Sequence, residues 1–290
     1  YVDDIYGANV FSKDGRTDDV GTDHGTHVSG LVKAVRDQSI SAASEARAVQ
    51  IMPVRFINSS GVGSTASAIA ALEYAASRGV KVVNASWGAK GAEAFSRALF
   101  DAMADLYTNN DVFFSVAAGN ADRAGANNND ITPYFPANFG LPGQMTVASL
   151  TASYAGSGSG AVFRDYYLST FSNYGLSSVD IAAPGDMIND DSATPGVWSS
   201  NAGFATGSTF VRKRGTSMAA PVIAGVAAVV RAINPSLTSY EVKQLLLSTA
   251  TPTSRLARIK SSAMVNAAAA FSAARTATSH GAHPAVQEPN

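Results

Sequence analysis

The chain has 290 residues, a formal net charge of −1 and a charged fraction of 15%. That length gives one large domain with a full core, and that balance leaves no nucleic-acid footprint and no basic membrane patch. It has no cysteine, which excludes disulfides, thiolate catalysis and cysteine zinc sites.

Residues 1–23 are acidic, turn-rich and weakly periodic, with Asp3, Asp4, Asp14, Asp18, Asp19 and Asp23. A helical pattern then runs over 24–35, followed by a strand near 49–56. Gly61-Val62-Gly63-Ser64 reads as a loop or edge segment. A helix over 66–78 stops at Gly79, a strand covers 81–86, and a second helix covers 92–109. Residues 112–118 form a continuous apolar run, as expected of a strand buried on both faces of a parallel sheet. Strand, helix and strand in alternation predict a doubly wound α/β sheet. After Asn120 the texture turns to loops and short strands, with a surface excursion at 156–160 and a strand over 179–183 that ends at Pro184-Gly185. Helices follow over 217–233, 239–248 and about 264–274. The apolar run over 218–230 is shorter than the ~20 residues a spanning helix needs, so it reads as a core helix. Residues 275–290 have little to bury and are expected to be disordered.

Two helix starts carry reactive side chains. His24 and His27 lie three apart, whereas a metalloprotease helix spaces its histidines i, i+4 around a glutamate; Gly25 and Thr26 stand between these two. Ser217 follows Gly215 at the mouth of the most apolar helix. There it can serve as a cap, or as a nucleophile whose oxyanion would lie beside free N–H groups. Asn120, just past a buried strand, offers a second donor; the ordinary reading is a turn residue.

In this order, these motifs resemble the subtilase family of serine endopeptidases. The resemblance rests on Asp23-His24-Gly25-Thr26-His27-Val28-Ser29-Gly30, Asn84-Ala85-Ser86-Trp87-Gly88, Ala117-Ala118-Gly119-Asn120, Ile181-Ala182-Ala183-Pro184-Gly185 and Gly215-Thr216-Ser217-Met218-Ala219-Ala220-Pro221. It covers the chain to about residue 274, the expected peptidase domain. It implies a three-layer, mostly parallel α/β fold. It makes Ser217 the nucleophile, His24 the general base and Asn120 a side-chain oxyanion donor. Ser86, Trp87 and Gly88 would form one wall of the S1 cleft, and Gly61, Val62 and Gly63 the opposing edge strand. Extended polypeptides would add to these as a β-strand. The resemblance also implies a secreted or secretory-pathway location and a monomer without a transmembrane segment, and it allows a propeptide inhibitor.

In the family the triad aspartate ends the first core strand, upstream of the histidine. No apolar strand ending in Asp-Thr-Gly or Asp-Ser-Gly precedes His24 here. The expectation is a domain lacking its first core strand, with the aspartate upstream of Tyr1 and these residues alone nearly inactive. No cofactor is needed for the chemistry. Structural calcium fits the family, with Asp37 and the acidic residues 3–23 as candidate ligands. Two rivals stand beside the peptidase: an inactive relative that binds peptides or partners, and a non-hydrolytic α/β ligand-binding domain.

Overall fold

The computed structural model describes residues 7–17, 23–39, 42–156, 162–189, 195–201 and 209–288. Strands β1 (Ala8–Asn9) and β2 (Val54–Arg55) form a parallel pair of their own. Between them lie α1 (His24–Gln38) and α2 (Ala43–Ala46). Then follow α3 (Thr65–Ser77), β3 (Val82–Ala85), β4 (Ala89–Lys90), α4 (Arg97–Asn110), β5 (Phe113–Ala117), β6 (Tyr134–Phe135), β7 (Gln144–Ala155), β8 (Val162–Leu168) and β9 (Ile181–Asn189). The chain continues through β10 (Val197–Ser200), β11 (Phe210–Lys213), α5 (Thr216–Ile233), α6 (Ser239–Ser248), β12 (Thr251–Pro252), β13 (Ala263–Met264) and α7 (Ala267–Thr276).

The main sheet has the order β12-β13-β9-β7-β5-β3, with β8 added to β7. Its β3, β5, β7, β9 and β13 run parallel. Strand β5 explains the layering. Its alternate residues Phe113 and Ala117 pack under α5, α6 and α7, while Phe114 and Val116 pack under α3 and α4. Both faces are apolar because both are covered. The result is a three-layer α/β sandwich, as expected, with α5 as the central helix of one face. By length and composition α5 could cross a membrane, yet 67% of it is buried inside the protein.

Three expectations change. Strand β9 runs straight through Pro184-Gly185, because Gly185 is the extra residue of a bulge opposite Leu150 and Thr151 and leaves the ladder intact beyond it. The predicted strand near 49–56 shrinks to Val54–Arg55, and nothing pairs β2 with β3 among the described residues. The chain end, expected to be disordered, lies along α4 and α6. The Tyr107 hydroxyl donates to Pro284 C=O at 2.9 Å, His283 stacks on Tyr107 at 4.1 Å, and Arg97 pairs with Glu288 at 2.7 Å. Glu241, in the capping box of α6, accepts from Ser279 Oγ at 2.7 Å and His280 N–H at 2.7 Å. Polar partners hold this segment together with the packing of Val286 against the cluster under α4. The excursion at 157–160 and Asp3, Asp4, Asp18 and Asp19 lie outside the described residues.

Candidate active site

Helices α1 and α5 pack side by side. Val28 and Leu31 meet Met218 in one buried cluster, and a Cβ added to Gly225 would lie 2.8 Å from Val35 Cβ. Both contacts advance in the same chain direction, so the helices run parallel and their N-termini share one end of the sandwich. His24 opens the first helix and Ser217 occupies the second residue of the other, at the carboxyl ends of β3 and β5. That is where open α/β sheets bind ligands.

Ser217 is held from two strands. Pro221 stands inside α5 and has no N–H for Ser217 C=O, its i−4 partner. Ser86, just past β3, fills that gap: its Oγ donates to Ser217 C=O at 2.9 Å. In return the Ser217 hydroxyl donates to Ser86 C=O at 3.1 Å. Asn84 Nδ2 donates to Ser86 Oγ at 2.9 Å and fixes its rotamer. The side chain of Ser86 is thus committed to α5.

Asn120 caps α5 from outside. Its Oδ1 accepts from Thr216 N–H at 2.9 Å and from Thr216 Oγ1 at 3.2 Å. Thr216 Oγ1, wholly buried, also accepts from Gly119 N–H at 3.1 Å. With Oδ1 fixed, the orientation of the amide is set and Nδ2 is left as a donor. A Cβ added to Gly215 would lie 3.6 Å from Asn120 Nδ2 and 3.7 Å from Ser217 N. The two donors therefore border one small space, at the positive end of a helix dipole. Thr216 thus ties Gly119 to Asn120, a link between distant segments that the run Gly215-Thr216-Ser217 does not announce, since it looks like an ordinary cap.

His27 does not join His24. It is fully buried, its Nε2 donates to Val197 C=O and Val211 C=O at 3.2 Å each, and its Nδ1 has no partner. Burial lowers its pKa, so it stays neutral and pins the β10–β11 hairpin to α1. Trp87 packs edge-on against Phe56 at 5.2 Å. Gly61 and Val62 belong to a turn closed by Asn58, whose Oδ1 accepts from Ser60 N–H and Val62 N–H at 3.0 Å each. Gly63 then packs on Phe56, beyond Trp87. Asp37 is taken by Lys33 and by Arg36 at 2.8 Å, and a calcium ion there would face two positive neighbours. No cluster of three or more metal-ligating side chains occurs among the described residues. A cavity of about 540 Å³ beside Asp130, Asp180, Lys243 and Lys260 is lined by none of His24, Asn120 and Ser217.

The model of the subtilase family, Peptidase_S8, matches residues 3–280. The chain belongs to the subtilase family. This subtilase is 31% identical over 250 residues to the M-protease of Shouchella clausii (strain KSM-K16), which covers 86% of the chain and 55% of that relative. It is 30% identical over 250 residues to Subtilisin Savinase of Lederbergia lenta, covering 86% of the chain and 78% of that protein. The crystal structure of a cold adapted subtilisin-like serine proteinase superposes with a TM-score of 0.62 at 28% identity, over 91% of this subtilase and 83% of that chain. The subtilase thus spans about half the length of the M-protease.

Proposed function

We propose that this subtilase is a serine endopeptidase acting through an acyl-enzyme on Ser217. The Ser217 hydroxyl turns from Ser86 C=O to the His24 imidazole, and its oxygen attacks the scissile carbonyl carbon as His24 takes the proton. The oxyanion is bound by Ser217 N–H and Asn120 Nδ2. His24 passes its proton to the leaving amine, and water then cleaves the ester by the same route in reverse. Extended polypeptides are the substrates, and the secretory route implied by the family is part of the same reading.

One observation carries it: the parallel packing of α1 and α5, which brings the starts of both helices to one end of a subtilase fold. The missing carboxylate belongs, on this reading, to a further strand along the free edge of β3. Two facts support that place. Among the described residues β3 pairs only with β5, and Asn84 Oδ1, on that strand, is buried without a donor. In subtilisin, a member of this family, loss of the aspartate alone lowers turnover by about 3 × 10⁴, and that scale is taken over here.

Hydrolysis of peptide amides by these 290 residues and by a form extended upstream tests the reading. The extended form is expected to be faster by about 10⁴ or more. Equal rates contradict the upstream carboxylate. No hydrolysis by either would favour an inactive, peptide-binding relative.

A further inference from the structure

Gly88, in the segment read above as one wall of the S1 cleft, and Gly119, which precedes the oxyanion donor read at Asn120, are both in contact with one aromatic ring. A Cβ added to Gly88 would lie 2.4 Å from Tyr134 Cε1 and 2.7 Å from Phe135 C=O. A Cβ added to Gly119 would lie 2.9 Å from Tyr134 Cδ2 and Cε2. These contacts touch opposite edges of the ring, so the ring spans the space between the two glycines. It fits because both neighbours lack a side chain. Resting on the endopeptidase reading above, we propose that Tyr134 fills the S1 slot and restricts this subtilase to small P1 side chains such as alanine and serine.

The ring is fixed in place. Tyr134 lies in β6, which pairs antiparallel with β4 directly after Gly88, in the register Lys90 to Tyr134 and Ala89 to Phe135. Its N–H donates to Asn138 Oδ1 at 2.9 Å, and Asn138 Nδ2 donates to Asn129 C=O at 2.9 Å. Phe135 beside it is wedged edge-on against Phe95 at 5.3 Å and packs on Phe139 at 5.4 Å. Burial raises the phenol pKa, so the side chain stays neutral and offers no charge to attract a basic P1 residue. A phenyl or leucyl P1 group would have to displace the ring from this scaffold, whereas a methyl group would not. Close-packed surroundings resist such insertion.

The test uses the upstream-extended protein and peptide p-nitroanilides that differ only at P1: alanine, leucine or phenylalanine. The unmodified protein is expected to favour alanine over phenylalanine by at least about tenfold in kcat/KM, the scale on which pocket size discriminates. Tyr134→Ala is expected to shift that ratio toward phenylalanine by about a hundredfold; Tyr134→Phe should keep the original ranking. A preference of the unmodified protein for phenylalanine overturns the proposal, and this result needs no variant to fold. So does a ratio unmoved in a Tyr134→Ala protein that melts normally. A fluorophosphonate without a P1 side chain separates the two claims. Labelling at Ser217 with the wrong P1 ranking refutes only the role of Tyr134; neither labelling nor cleavage refutes the endopeptidase reading and this proposal with it.

Discussion

At the residue scale, the geometry around Ser217 is set by hydrogen bonds from three segments of the chain. Thr216 Oγ1 joins Gly119 N–H to Asn120 Oδ1, and Ser86 Oγ stands in for the N–H that Pro221 lacks. Asn120→Ala removes an oxyanion donor and is expected to lower turnover by about 10²–10³, a scale measured for the equivalent loss in subtilisin itself, with KM nearly unchanged. Thr216→Val keeps the volume but leaves Gly119 N–H buried without an acceptor. It should cost about 1–3 kcal/mol in denaturant unfolding and slow turnover as well, because Asn120 loses one of its two anchors. Ser86→Ala leaves Ser217 C=O unpaired beside Pro221, with an expected loss of similar size; an unchanged denaturation midpoint would show that Ser86 does not hold α5. The roles proposed for His24, Asn120 and Ser217 rest on the short runs that surround them in the sequence. Those of Thr216 and Tyr134 are not legible there, since their contacts join segments far apart in the chain and leave no local pattern.

At the scale of elements, strongly periodic helices are read well and short pairings are not. α6 spans Ser239–Ser248, the range expected from the sequence, and Thr238 with Glu241 forms its capping box. Two-residue strands such as β4 and β6 carry no periodicity to read, although they position Tyr134. Pro184-Gly185 looks like a strand end because bulges in a parallel strand have no composition of their own. The approach of α1 to α5 depends on Gly225. Gly225→Val is expected to destabilise the protein by about 1–3 kcal/mol by overpacking against Val35, and to lower activity further by displacing His24. The end segment escapes prediction because hydrogen bonds to Glu241 hold it. Burial alone would raise the Glu241 pKa. Hydrogen bonds from Thr238, Ser279, His280 and Ala282 win and lower it from 4.5 to about 2. A depressed folded-state pKa stabilises above the unfolded value and is lost as pH falls through the folded one. Melting of Glu241→Gln should therefore fall below that of the parent near about pH 6, with the gap closing between pH 4.5 and about 2. A constant gap down to that pH would contradict this account of the tail.

At the scale of the whole molecule, the sandwich is covered on both faces, and among the described residues one edge of its main sheet is unpaired. β1 and β2 form a pair of their own, and β3 ends the main sheet among the described residues. Unpaired strand edges are templates for another strand. The strand proposed above to carry the carboxylate would pair there. The alternation of strands and helices is readable from pattern, and the layer order from the family resemblance, whereas the separation of β2 from β3 needs coordinates. The central claim is that Ser217 is an activated nucleophile. Its most direct test is fluorophosphonate labelling of the upstream-extended protein, with the modified peptide identified by mass spectrometry. The account predicts one covalent adduct on Ser217, abolished in Ser217→Ala and strongly slowed in His24→Ala. No adduct on a folded protein, or an adduct on another residue, would contradict it.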